Sequence, residues 1–245
     1  MDRLRGRRAF VTGGAHGIGA AIASAFVREG ATVVLADLDQ TAASALGETI
    51  KAVAVALDVT DFDALRRVIQ AHGPFDILVN NAGADQHAFF TDTTPDDWRK
   101  LIAVNLEAVF ACTHAVLPAM QAAKFGRIVN IASEAGRLGS RGGAVYAAAK
   151  GGVIAFTKSI ARENARYGIT ANVIAPGPID TPMLQRAVAL GGSKSLDAMT
   201  NATLLRRLGT PEEIAEAAVF LASDGASFIT GETLGVSGGM GIGGA

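Results

Sequence analysis

Three observations predict a single α/β domain over residues 1–245, with a doubly wound parallel sheet of about seven strands and helices on both faces. Strand-like and helix-like patterns alternate from one end of the chain to the other. The strand-like segments are near-continuous apolar runs, as in strands buried on both faces. A glycine-rich turn joins the first strand to the first helix.

The elements follow in order. Residues 8–12, Arg-Ala-Phe-Val-Thr, read as a first strand. Ile18, Ile22 and Phe26 then form a helical stripe that stops at Gly30, a suitable C-terminal glycine. Further strands are expected at 31–36, 52–57, 75–79, 127–132, 169–175 and 233–236. Helices fill the gaps, and two have readable starts. Thr94-Pro-Asp-Asp97 and Thr210-Pro-Glu-Glu213 each offer a capping threonine, proline at the first helical position and an acid at the third. Repeated β-α-β units imply right-handed crossovers. Residues 178–208, which include Gly191-Gly192-Ser193, are the least regular part and a candidate lid over a substrate site.

Composition narrows the function. Hydrophobic residues make up 49% of the chain, which argues against disorder. Net charge is −1 and the basic residues are scattered, so no nucleic-acid footprint is expected. The single cysteine, Cys112, excludes an internal disulfide framework and fits a reducing, cytoplasmic setting. No apolar signal segment opens the chain and no uninterrupted run of about 18 apolar residues occurs, so no membrane span is expected. His16, His72, His87 and His114 lack ligand spacing, so no metal is expected.

Thr12-Gly-Gly-Ala-His-Gly-Ile-Gly19 lies between a strand and a helix. Glycines there allow a sharp turn and close approach of a ligand, and a helix start offers free N–H groups to a pyrophosphate. Gly13, His16, Gly17, Ile18 and Gly19 are therefore candidate cofactor contacts. Asp37 ends the second strand, at a distance suited to accepting hydrogen bonds from adenosine ribose hydroxyls. Leu38 follows it rather than a basic residue, which favours NAD over NADP. Asp58 and Val59 end the third strand; Asp58 either meets the adenine amino group or is a loop acid near Thr60, the expected cap of the next helix. Asn80-Asn-Ala-Gly83 ends the fourth, where Asn81, Ala82 and Gly83 would let a cofactor lie across the strand ends.

Tyr146 and Lys150 stand four apart, on one face of a helix. An ammonium at roughly 4 Å and an effective dielectric of about 20 would favour the phenolate by about 4 kcal/mol, or roughly three pKa units.

These pieces together resemble the classical short-chain dehydrogenase/reductase family over essentially the whole chain. The glycine turn matches TGxxxGxG, residues 80–83 match NNAG, and Tyr146 with Lys150 matches YxxxK. Ser133 lies 13 residues before the tyrosine, the family interval, and Pro176-Gly177 follows the sixth strand as the family's PG motif does. The resemblance implies a Rossmann-type fold, NAD as cofactor and a homotetramer. It implies that Tyr146 exchanges the proton, that Lys150 lowers its pKa and holds the nicotinamide ribose, and that Ser133 orients the substrate oxygen. Asn105, expected mid-helix, would hold a water linking Lys150 to solvent, or serve as a helix-packing amide. Pro176, Gly177, Ile179 and Thr181 would meet the nicotinamide, with Thr181 at its carboxamide.

A narrower likeness, to bacterial 2-hydroxycyclohexanecarboxyl-CoA dehydrogenases, rests on residues 129–137, 174–181, 228–231 and 236–239. It biases the expected substrate toward a cyclic secondary alcohol or a β-hydroxyacyl-CoA and its ketone. A 3-oxoacyl-[acyl-carrier-protein] reductase is the alternative, and a non-catalytic nucleotide sensor a remote one. Residues 85–90 and 178–208 are expected to line the pocket, with Phe89, Phe90, Met183 and Leu184 as its apolar part, and Arg137 or Arg141 to meet a CoA phosphate. Gly143 stands where many relatives carry glutamine.

Overall fold

In the computed structural model, which describes residues 2–191 and 193–242, seven strands form one sheet. They are β1 (Arg8–Thr12), β2 (Thr32–Asp37), β3 (Val53–Ala56), β4 (Ile77–Asn80), β5 (Gly126–Ile131), β6 (Ile169–Pro176) and β7 (Thr233–Val236). All pairings are parallel, in the order β3-β2-β1-β4-β5-β6-β7. The strand order reverses between β1 and β4, the kind of place where open α/β sheets bind ligands.

Alternate strand residues point to opposite faces and feed two cores. Ala9, Val33, Leu35, Ile77 and Val129 pack with α1 (Gly17–Arg28) and α10 (Pro211–Ala222) through Ile22, Phe26, Ile214 and Val219. Phe10, Val34, Leu78 and Ile128 pack on the other face against α3 (Phe62–His72), α5 (Ala108–Ala123) and α7 (Ala144–Asn164). Each fully buried large side chain, Phe10 and Leu35 among them, contributes roughly 1.5–3 kcal/mol. The outer strands differ from the expected continuous burial. β3 and β7 are hydrogen-bonded on one side only, and Val53 and Leu234 stay exposed.

Helix boundaries follow their local chemistry. Gly30 takes φ 90° after α1, and Ala31 N–H returns to Phe26 O. α2 (Gln40–Ile50) is capped by Asp39 and α3 by Asp61, whose carboxylate accepts from Ala64 N–H; Thr60 is not the cap. Thr94 and Asp97 form the expected capping box of α4 (Pro95–Ile102). Glu213 reaches back to Thr210 N–H at the start of α10.

Two regions depart from the sequence reading. α4 passes into α5 through a π-helical turn, Ala103–Glu107, so Asn105 sits in an irregular turn rather than mid-α-helix. Helical Pro95–Ala123 is long and apolar enough to cross a bilayer, but Leu101, Val109, Cys112, Val116 and Met120 are buried in this molecule. Residues 178–208 hold two helices, α8 (Pro182–Gly191) and α9 (Ser193–Asn201). Proline at a first helical position and the following Met-Leu-Gln favour the helix. Gly192, and Gly243 to Ala245 of the glycine-rich tail, lie outside the described residues.

Candidate active site

The glycine turn and the end of β4 are stitched together. Thr12 Oγ1 accepts from the N–H groups of Asn81 and Ala82 at 3.0 and 3.1 Å. Asn81 Nδ2 donates to Thr12 O at 3.0 Å and Gly13 O at 2.9 Å. The Asn81 amide is thus spent on holding the turn, and Thr12, absent from the sequence-derived contacts, is its anchor. A Cβ at Gly19 would fall 1.9 Å from Gly13 O, so no side chain fits there. Gly13 and Gly17 have positive φ. His16 precedes α1 without capping it, and no acid lies in the first turn, so the helix start keeps its positive potential. Ile18 is half-buried against the first core.

At the far end of this turn stand two carboxylates. Asp37 accepts from Ala15 N–H at 2.9 Å and from Asp39 N–H at 3.0 Å. Asp39 accepts from Ala42 N–H and lies 3.1 Å from His16 Nε2. The Ala42 N–H, and then His16, hold Asp39 below the ordinary carboxylate range. His16, the sole basic residue of the glycine turn, therefore already faces an acid. Leu38 is largely exposed. Asp58 Oδ1 accepts from both Thr60 N–H and Thr60 Oγ1, which supports the loop-acid reading; Val59 is buried.

Ser133, Asn105, Tyr146 and Lys150 come together above the ends of β4 and β5. Lys150 is buried and donates to Ile131 O at 3.0 Å, with Nζ 5.7 Å from the Tyr146 ring centroid. Asn105 is fully buried: Nδ2 donates to Ala84 O and Leu101 O, and Oδ1 accepts from Ala84 N–H. This is the packing-amide alternative. Ser133 Oγ accepts from Ala135 N–H, opening the short helix α6 (Ala135–Leu138). Gly83 has no side chain because Asn105 Oδ1 and Lys150 Nζ already occupy that direction.

Burial works against the expected depression of the Tyr146 pKa. It pushes Tyr146 up to about 12, Asp85 adds to this, and the Ser133 hydroxyl opposes it. Burial brings Lys150 down to about 8, with Asp85 opposing. The simple pair estimate left out the desolvation of both partners.

Other sequence-derived positions are sorted by their contacts. Pro176 O accepts from Glu134 N–H, and Gly177 N–H donates to Val236 O. Ile179 is buried and bridged to Gly209. Thr181 Oγ1 accepts from Leu184 N–H at the start of α8, and its methyl lies beside Gly17. Arg137 pairs through Nη1 with buried Glu134 at 3.1 Å, so any phosphate would have to share this guanidinium. Arg141 lies over the exposed Phe89 ring. Phe90 stacks on Trp98 at 5.1 Å, so its ring has a partner already. Met183 is exposed and Leu184 half-buried. The sequence reading gave no individual role to Glu134, to Gln86, or to Asp85, which pairs with His87 at 3.0 Å; the last three were expected only within the pocket-lining segment 85–90. Among the described residues no cluster of His, Cys, Asp or Glu has the form of a metal site.

The arrangement fits a dinucleotide: a glycine-rich turn at a helix start, carboxylates at one end, and a lysine beside a bare glycine at the other. The family described as enoyl-(acyl carrier protein) reductase matches residues 13–241. The 3-oxoacyl-[acyl-carrier-protein] reductase of Vibrio harveyi is 42% identical over 97% of this chain and 98% of its own. The acetoacetyl-CoA reductase of Shinella zoogloeoides is 44% identical over 96% and 98%. Among solved structures, 3-oxoacyl-[acyl-carrier protein] reductase of Brucella melitensis superposes with TM-score 0.92 at 37% identity, covering 99% of this chain and 94% of that one. These relatives correct the narrower likeness to 2-hydroxycyclohexanecarboxyl-CoA dehydrogenases. The segments that carried it belong largely to the shared frame around β5, β6 and β7, which does not select substrate.

Proposed function

Because the chain belongs to the short-chain dehydrogenase/reductase family, we propose that it interconverts 3-oxoacyl and 3-hydroxyacyl thioesters with NAD(H). The observation that carries the reading is the convergence of Ser133, Tyr146, Lys150 and Asn105 at the strand ends. The relatives named for 3-oxoacyl and acetoacetyl thioester reduction supply the substrate class.

A bound nicotinamide would supply hydride to the carbonyl carbon, or accept it from the carbinol, and its positive oxidised form would favour the Tyr146 phenolate. Gly13, Gly17, Gly19 and the start of α1 would take the pyrophosphate. Asp37 would accept from the adenosine ribose hydroxyls, since each carboxylate oxygen has a second acceptor site beyond its present bond. Asp39 stands beside it as a second negative charge, which supports NAD over NADP. Lys150 would hold the nicotinamide ribose, and Thr181 the carboxamide. Ser133 would donate to the substrate oxygen. In reduction Tyr146 gives its proton to that oxygen as the C–H bond forms; in oxidation it takes the proton back. Asn105 fixes the turn that presents Gly83 and Ala84 beside Lys150. We place α8 and α9 over the acyl chain as a lid.

The test is turnover of acetoacetyl-CoA with NADH and with NADPH, and of 3-hydroxybutyryl-CoA with NAD, beside a panel of cyclic secondary alcohols. Thioester turnover with NAD(H) supports the reading. Turnover of cyclic alcohols with every thioester inert would replace it with the dehydrogenase reading.

A further inference from the structure

We propose that Gln86 is a positioning residue for Tyr146, acting as a remote cap on the helix that carries it. The idea rests on Tyr146 exchanging the substrate proton, as set out above.

The first N–H groups of any α-helix lack partners within the helix. In α7 the residue before the helix is Gly143, which has no side chain to accept from them. The first helical bond, Ala147 N–H to Gly143 O at 2.8 Å, leaves Val145 and Tyr146 N–H without helical acceptors. Gln86 Oε1 accepts from both, at 3.0 and 3.2 Å, across 59 and 60 residues of sequence. The Gln86 side chain is buried, so water does not readily take its place. Its Nε2 turns back toward Ala88 O at 3.5 Å, and Ala88 N–H is tied to Gly142 O at 3.0 Å. The segment after β4 and the start of α7 are thus joined twice.

One of the two bonded N–H groups belongs to Tyr146 itself. The phenol is therefore anchored through its own backbone, and the same contact holds Asp85 and His87 at the edge of the site. Asp85 Oδ1 accepts from Gln86 N–H at 2.7 Å, and Asp85 acts electrostatically on both Tyr146 and Lys150. Loss of the cap would let the first turn of α7 fray and move the phenol relative to Ser133. Displacement of a reacting group by about 1 Å costs up to about a hundredfold in rate.

Two variants separate capping from packing. Gln86→Met keeps the length and removes the acceptor; Gln86→Glu keeps an acceptor, and the helix start tolerates its charge. Amide hydrogen exchange is measured over residues 143–150, with kcat, KM and NAD affinity on whichever alcohol or thioester the wild type turns over. For Gln86→Met we expect exchange at Val145 and Tyr146 faster by about tenfold or more and kcat lower by about tenfold or more, with NAD affinity within about twofold. Gln86→Glu should restore protection and most of kcat. Unchanged exchange in Gln86→Met, or equal damage in both variants, overturns the proposal. If Gln86→Met does not fold, Gln86→Ala, which admits water to the two N–H groups, carries the same comparison. Exchange reads the cap whatever the substrate proves to be, so failure of the thioester reading leaves this test standing.

Discussion

Asn105 Oδ1 and Lys150 Nζ converge on the bare side of Gly83: a Cβ there would lie 2.8 Å from the first and 3.4 Å from the second. The asparagine comes from a π turn, the lysine from α7 and the glycine from the end of β4. One missing side chain lets three elements meet.

Asn105→Ala should destabilise the fold as well as slow the reaction. It strips partners from Ala84 O, Ala84 N–H and Leu101 O in a buried place. The cost is about 2 kcal/mol, or a Tm lower by about 4–8 °C. A calorimetric Tm equal to wild type would mean that these bonds contribute nothing.

Tyr146→Phe should cut kcat by about a hundredfold to ten-thousandfold while NAD binding is kept. The ring and its packing remain and only the exchangeable proton is lost. Fluorescence titration with NAD and steady-state assays measure the two halves. Retention of most of the wild-type kcat would remove Tyr146 from its assigned role.

Asp37→Ser with Leu38→Arg should shift the ratio of kcat/KM for NAD over NADP by about tenfold or more toward NADP. The carboxylate is replaced by a hydroxyl and a guanidinium able to meet a 2′-phosphate. Equal use of both cofactors by the wild type would show that the Asp37–Asp39 pair does not discriminate.

Asp85→Asn should move the ascending limb of the pH–kcat/KM profile for alcohol oxidation to lower pH. Asp85 raises the pKa of both Tyr146 and Lys150, so its neutralisation lowers both. The phenolate needed for oxidation then forms at lower pH. A midpoint that stays put, or rises, would show Asp85 to be screened from the site.

Light scattering should give a mass near four times the 25.0 kDa of the chain. Phe110, paired with Phe156 at 4.5 Å, and Phe228, Leu234 and Ile242 are exposed apolar groups suited to subunit contacts. A monomer at micromolar concentration would exclude the tetramer.

The strands, the glycine turn and the Tyr146–Lys150 spacing were legible because each is a local pattern: an apolar run, a turn glycine, a helical interval; Ser133 entered through the family resemblance alone. The Thr12–Asn81 stitch joins residues 69 apart, and the Gln86 cap joins residues 59 and 60 apart. No spacing rule points to either, since both depend on which strand ends become neighbours. The ion pair of Arg137 was hidden for a related reason. Its partner Glu134 is three residues away, but only the fold shows that this acid is buried and needs a counter-charge. The burial that raises the Tyr146 pKa was hidden too, because attraction can be estimated from sequence spacing and desolvation cannot.

The Glu134–Arg137 pair begins one residue after Ser133, and Gly241 packs against it. A Cβ at Gly241 would lie 2.9 Å from both Glu134 carboxylate oxygens and 3.1 Å from Arg137 Nη1. A substitution or shift at Gly241 therefore bears on the loop that presents the serine. For anyone preparing the enzyme, a side chain introduced at this glycine is itself an experiment on activity.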